Sequence, residues 1–223
     1  MRIIAELPPS TSRRVVVSRA KALSDYVDMV DIPDSPGGRP SAHAIAVAYV
    51  VKEIGLTPIA HIRLRDLNEL AYRSLLGAAR LLGLEYVVPL SGDLPSVGRP
   101  VDHLTTEEAV PIAREYGFRV GVLLSMRRNY AERLKIGADF YLVLNLVDPK
   151  SLERLAAFDV YPYVLLRTER NAGLVERLKQ PAVGLDSLRR YIEALDPYVK
   201  AVVISAPGDF EAELSALALL AKR

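Results

Sequence analysis

Short apolar runs recur along the chain, and between them the apolar positions fall into the three-and-four spacing of a helix face. The runs over residues 2–7, 27–32, 58–62, 86–90, 118–124, 140–145, 160–166 and 201–205 are rich in Val, Ile, Leu and Tyr and are apolar almost throughout. Strands with that composition are covered on both faces, as in parallel sheets flanked by helices. Each run is followed by a polar turn and a helical stretch. Eight such βα units, with no Pro/Gly/Ser-rich linker and no shift in composition, predict one α/β domain over residues 1–223, a single (β/α)8 TIM barrel. An open doubly wound sheet is the competing arrangement. It usually carries a glycine-rich first turn, whereas the first turn here reads Glu6-Leu7-Pro8-Pro9-Ser10-Thr11.

Start and stop signals support the helices. Ser41 precedes an apolar helical pattern and predicts an N-cap there. Thr105 and Glu108 have capping-box spacing. Asp148 before Pro149 places an acceptor at the cap and proline at the first helical position. Asp209 predicts the start of a last helix over residues 210–222. Gly55, Gly83 and Gly117 fall where helices should stop, because glycine takes the left-handed terminating conformation without a Cβ penalty.

Half of the 223 residues are hydrophobic and a quarter are charged, enough apolar surface for a substantial core. With 29 Lys and Arg against 27 Asp and Glu, the net charge of +2 offers no basic surface for nucleic acid. The longest apolar run, residues 44–51, is too short to cross a bilayer, and residues 1–9 lack the pattern of a signal peptide. A cytoplasmic protein is expected. The absence of cysteine removes disulfides, thiolate metal sites and a cysteine nucleophile. One glutamine, three methionines and no tryptophan, beside many charges, suggest a heat-adapted source.

In a barrel, chemistry belongs at the carboxyl ends of the strands. Polar residues gather there: Glu6, Asp31 and Asp34, His61 with Arg63, Arg65 and Asp66, Ser91-Gly92-Asp93, Ser125 and Arg127, Asn145 and Asp148, Arg167, and Ser205. Solvated loop ends and helix caps account for many of them. Glu6 interrupts an apolar strand just before a rigid Pro-Pro turn. It is either a partly desolvated general acid or the partner of a structural arginine. His61 sits late in a buried strand, as a core histidine or as part of a site with Arg63 and Asp66. His43 reads as structural. His103 belongs to the long segment 92–106, a disordered loop or a cofactor lid. Three scattered histidines show no metal-ligand spacing, so no metal is expected. P-loop and serine-hydrolase motifs are absent.

Four elements in register carry a resemblance. Glu6-Leu7-Pro8-Pro9, His61-Ile62-Arg63-Leu64-Arg65-Asp66-Leu67-Asn68, Leu75-Leu76-Gly77-Ala78 with Leu82-Gly83-Leu84, and Leu90-Ser91-Gly92-Asp93-Leu94-Pro95 resemble the methylenetetrahydrofolate reductase family. The segment from Asp31 to Arg39 is similar to the second loop of members that lack a long insertion there. The resemblance implies FAD (or FMN) at the carboxyl face of the barrel, a reduced folate or tetrahydromethanopterin-type substrate, and interconversion of methylene- and methyl-tetrahydropterin in one-carbon metabolism. By motif, Glu6 corresponds to the general acid and Asp93 to the aspartate beside flavin and pterin. Asp31, His61, Arg63, Ser91, Gly92 and the stretch His103, Leu104, Thr105 align with flavin-contacting positions. Asn145 and Arg127 are the candidates for substrate contact.

The second half departs from the family pattern. Leu124-Ser125-Met126-Arg127-Arg128 stands where a Pro-Glu and a histidine are usual, Leu144 occupies the position of a glutamine, and Ser91 replaces an arginine. Asn145 could supply the missing amide if the strand bulges, because successive strand residues face opposite sides. A second function therefore stands beside the reductase: a flavin-free tetrahydropterin-binding or partner subunit of a reductase or methyl-transfer complex. The electron donor, a partner subunit and a homo-oligomer are left open.

Overall fold

The computed structural model describes residues 1–128 and 130–221. All strand pairings are parallel. β1 (Arg2–Glu6), β2 (Met29–Ile32), β3 (Thr57–Arg63), β4 (Tyr86–Leu90), β5 (Arg119–Ser125) and β6 (Phe140–Leu144) pair in chain order. β7 (Val160–Leu166) pairs with β6, and β9 (Ala201–Ser205) lies between β7 and β1, so eight strands close into a (β/α)8 barrel. The predicted runs locate these eight strands to within two residues at each end.

β8 (Ala182–Val183) was not expected, since two residues carry no periodicity. It pairs with Leu165 and Leu166 of β7. Leu165 is also the partner of Ser205, so β8 occupies the opposite edge of β7, against the end of β6.

The helices cover the outside: α1 (Arg13–Ser24), α2 (Ala44–Lys52), α3 (Glu69–Leu81), α4 (Thr106–Glu115), α5 (Tyr130–Leu134), α6 (Ala172–Leu178), α7 (Leu185–Leu195) and α8 (Phe210–Ala221). Short 3-10 turns occupy Pro36–Gly38 and Pro149–Leu155. None of the described helices is long and apolar enough to cross a membrane. Thr105 and Glu108 form the expected capping box, and Asp148 caps the Pro149 turn by accepting from Lys150 N. The last predicted helix begins after Asp209 as expected, and its final residue, Lys222, lies outside the described residues. Ser41 is not a cap. Its hydroxyl donates to the Ala42 carbonyl, while His43 stays extended and accepts from Ile45 N through Nδ1 at 3.2 Å.

Two apolar layers result. Outward-facing strand residues such as Val30, Ile62, Val87, Val122 and Val202 pack against the helices. Inward-facing Ile4, Met29, Ile59, Val88, Phe140, Leu142, Ala201 and Val203 fill the barrel. Phe140 fits because β5 has a glycine opposite it: a Cβ at Gly121 would lie 2.3 Å from the ring. Tyr161 stacks on Phe140 at 5.3 Å and Tyr86 meets its edge at 6.1 Å, closing the amino-terminal end. The carboxyl end is left for polar side chains.

Candidate functional site

Strand parity builds the site. With Ile4, Met29, Ile59 and Val203 pointing inward, Glu6, Asp31, His61, Arg63 and Ser205 share the same face of their strands, and all of these but Arg63 converge above the apolar filling. Tyr163 of β7 does likewise. Register makes Glu6 the partner of Asp31 on the neighbouring strand.

Asp31, fully buried, is the hub. Its Oδ1 lies 2.9 Å from His61 Nε2, and its Oδ2 accepts a short hydrogen bond from the Tyr163 hydroxyl. Burial opposes a charge on His61, but the Asp31, Glu6 and Asp34 charges outweigh it, and the imidazole holds its proton more tightly than an ordinary histidine. Burial, with Asp31 and Glu6 nearby, pushes the Tyr163 phenol well up, so it stays a hydrogen-bond donor.

Glu6 is partly accessible at the mouth. Burial first, then the Asp31 charge, raise its carboxyl to about 7, against the smaller opposing pull of Ser205 and His61. A carboxyl in that range is divided between acid and carboxylate at neutral pH, the condition a general acid needs. Glu6 has no arginine partner among the described residues, and the structural ion pair considered from the sequence is absent there. The Ser205 hydroxyl, buried beside it, completes no hydrogen bond of good geometry among the described residues.

Arg63 stands apart from this cluster. Its guanidinium is 3 % exposed and gives Nε to Asp66 at 2.6 Å and Nη2 to Asp66 and to the Asp93 carbonyl, at 3.2 and 2.9 Å. Gly92, at φ +80°, closes over it, and a Cβ there would lie 2.7 Å from Nη1. Asp93 contributes its backbone to this clamp; its side chain stands in the exposed part of the loop.

The segment after β4 is an ordered strap across the mouth. Ser96 N donates to Gly38 O at 2.8 Å, Val101 N to Arg65 O at 2.8 Å, and Arg65 pairs with Asp102. Gly38, at φ +69°, is pressed so closely on Leu94 that a Cβ would lie 1.9 Å from its carbonyl oxygen. Leu94, Val97 and Val101 remain exposed on the strap. Ser91 and His103 are also exposed, Leu104 packs on the outer core, and the Thr105 hydroxyl is engaged with Glu108.

At β6 the strand does not bulge. It ends at Leu144, and Asn145 takes a left-handed φ of 59°, which swings its amide to Ser125 Oγ at 2.9 Å. Arg127 is exposed in the following loop. Gln180, the lone glutamine, arrives from the turn before β8, and its Oε1 faces Asn145 N at 3.4 Å. Tyr163, Gln180 and Glu213 were not among the expected site residues. Only Tyr163 had a signal, a polar end at an inward position of its strand.

No protein-family model matches this chain, and no curated protein matches it in sequence. Solved structures do. An uncharacterized protein from Clostridium thermocellum that binds two copies of 5-methyl-5,6,7,8-tetrahydrofolic acid superimposes with a TM-score of 0.69 at 10 % identity, over 98 % of this chain and 94 % of that one. Orotidine 5'-phosphate decarboxylase from Pyrococcus horikoshii gives 0.59 at 12 % identity, over 99 % of this chain and 100 % of that one. A 3-hexulose-6-phosphate synthase gives 0.59 at 15 % identity, over 99 % and 98 % of the two chains. At these identities the likeness establishes the barrel fold alone.

Proposed function

We propose that the mouth of this barrel binds a reduced pterin of the methylene- and methyl-tetrahydropterin class, and that Glu6 is the general acid that acts on it. The carrying observation is a carboxyl raised to about 7 at the end of β1, held beside the Asp31, His61 and Tyr163 cluster. The sequence motifs around Glu6 and Asp93 and the methyltetrahydrofolate-binding structural neighbour support the same ligand class.

In this reading Glu6 gives its proton to a nitrogen of the methylene bridge of the pterin. The protonated nitrogen takes up the positive charge, and the bound pterin becomes a cation. The carboxylate left on Glu6 and the neighbouring Asp31 charge stabilise the cation in a site shielded from water. The Tyr163 and His61 contacts hold Asp31 at the position where that charge is needed.

A bound flavin would supply the hydride that turns a methylene bridge into a methyl group. The residues of this chain do not fit that group as the resemblance implies. Asp31 and His61 are bound to each other inside the barrel, Arg63 is enclosed by Asp66, the Asp93 carbonyl and Gly92, and the Thr105 hydroxyl belongs to its helix cap. The flavin-free pterin protein is therefore favoured over a flavin-dependent reductase.

Calorimetry with tetrahydrofolate, 5-methyltetrahydrofolate and tetrahydromethanopterin tests the ligand, and the ultraviolet-visible spectrum of the freshly purified protein tests the cofactor. Saturable pterin binding without a flavin spectrum is expected. No binding of any of the three pterins overturns the ligand assignment, and a stoichiometric flavin spectrum overturns the flavin-free reading.

A further inference from the structure

A second carboxyl stands behind the first. On α8 the buried face consists of Ala212, Glu213, Ala216 and Leu217, and Glu213 is 2 % exposed. The flanking alanines leave its side chain room to reach the ends of β1 and β9, where it lies against the backbone N–H groups of Ala206 and Glu6. Among the described residues its Oε1 has no hydrogen-bond partner. Arg19 of α1 is the nearby cation, but its guanidinium lies over the Phe210 ring, 5.1 Å from the centroid, and makes no ion pair with Glu213. A buried acid in this state lowers stability, so a purely structural position would hold a leucine or methionine more favourably.

Glu213 also forms part of the wall of a cavity of about 540 Å³ between α1 and α8. Pro8 and Ala206 line the same cavity, and exposed Arg14, Arg170 and Glu211 stand at its rim. Glu213 thus has solvent-connected space on one side and the Glu6 end of β1 on the other. The Ser205 hydroxyl, also buried and without a hydrogen bond of good geometry among the described residues, sits beside Glu6 next to Ala206.

We propose that Glu213 is the proton relay of Glu6: it restores the proton that Glu6 gives to a ligand and is itself recharged from the α1/α8 cavity, so the acid is renewed while the mouth is covered. The step balances. The O–H bond of Glu213 breaks, an O–H bond forms on the Glu6 carboxylate, and the Glu213 carboxylate takes a proton from water in the cavity. The charged and titratable groups around the path are Glu6 on β1, Arg14 and Arg19 on α1, Asp31 on β2, His61 on β3, Tyr163 on β7, and Arg170, Asp209 and Glu211 at the rim. Burial and the Glu6 charge hold the Glu213 carboxyl well above the usual range. The relay rests on the role proposed for Glu6.

The test is carbon-13 NMR of the glutamate side-chain carboxyls in ligand-free protein, in the wild type and in Glu6→Gln and Glu213→Gln. Glu213 is expected to titrate well above the ordinary carboxylate range, and its midpoint is expected to fall by about half a unit or more in Glu6→Gln, where the neighbouring charge is gone. A Glu213 that titrates in the ordinary carboxylate range, or that ignores Glu6→Gln, overturns the relay. If a pterin reaction is found, Glu213→Gln should keep its single-turnover rate, lose about tenfold or more in steady-state turnover, and regain it with added formate or acetate. An unchanged steady-state rate rejects the relay. Should Glu213→Gln fail to fold, the wild type and Glu6→Gln still decide the question. The NMR arm uses no pterin, so its outcome is separate from the ligand assignment.

Discussion

Glu6 and Asp31 are register partners at the ends of β1 and β2, and strand parity turns both carboxyl groups into the barrel. Asp31 has two partners there, His61 and Tyr163, and Glu6 has none of comparable strength. Glu6, buried beside the Asp31 charge, has its carboxyl raised to about 7. Replacing Asp31 with asparagine should lower the Glu6 midpoint yet leave it above 4.5, because burial is the larger cause of its rise. His61 should lose its raised proton affinity in the same variant, since burial is then opposed only by the weaker Glu6 and Asp34 charges. Breaking the buried pair should cost about 3 kcal/mol of stability. NMR titration and denaturant unfolding check both effects.

Stability should depend on pH through Glu6 in an unusual direction for a carboxyl. Its folded value, about 7, lies above the unfolded 4.5, so between these limits the native chain binds more protons than the unfolded one. Its contribution is complete below pH 4.5 and is lost as the pH rises through about 7, a change on the order of 3 kcal/mol. His61, also raised, acts in the same sense, its contribution being lost as the pH rises through its folded value. Glu6→Gln should match the wild type near pH 4.5 and exceed it in melting temperature at pH 8. An equal difference at both pH values would show that the carboxyl is solvated rather than buried.

The strap over the mouth depends on Gly38. Gly38→Ala adds a methyl group 1.9 Å from the Leu94 carbonyl oxygen at a backbone φ of +69°, so the strap must lift or the β2 loop must shift. Amide exchange at Ser96, bonded to Gly38 O, should accelerate roughly tenfold or more, equivalent to about 1.4 kcal/mol or more of local stability. Exchange at Val203, in the barrel wall, should not change by more than global stability requires.

Inside the barrel, Gly121→Ala should destabilise the whole fold. The new methyl meets the Phe140 ring at 2.3 Å, and Tyr86 and Tyr161 leave that ring little room to move. Overpacking of this kind costs about 1–3 kcal/mol, read as a lower denaturant midpoint with unchanged slope. Combining it with Phe140→Leu should recover part of the loss.

The eight long strands, the capping box at Thr105 and Glu108, and the stops at Gly55, Gly83 and Gly117 were legible along the chain, because each depends on residues within one turn or one strand. Glu6 was legible for the same reason, as a charge interrupting an apolar run before Pro8 and Pro9. Asp31, His61 and Arg63 entered the candidate site as polar strand ends and through family-like motifs. Their grouping in space did not follow from those motifs: Asp31 and His61 lie in one cluster with Tyr163, while Arg63 is clamped against Asp66 and the strap.

What remained hidden was decided across the barrel. Asp31 and Tyr163 are 132 residues apart, and their hydrogen bond exists because the closed sheet aims β2 and β7 at one axis. Gln180 reaches Asn145 by way of β8, too short to leave a pattern, and Asn145 turns to Ser125 by a left-handed backbone in place of a bulge. Nothing in the sequence separates Glu213 from the other charges of the last helix. Its burial is a property of what α8 packs against, the ends of β1 and β9, and hence of ring closure. Periodicity determines which face of an element is turned inward; only closure of the sheet determines which side chains then meet there, and therefore which carboxyl keeps its proton.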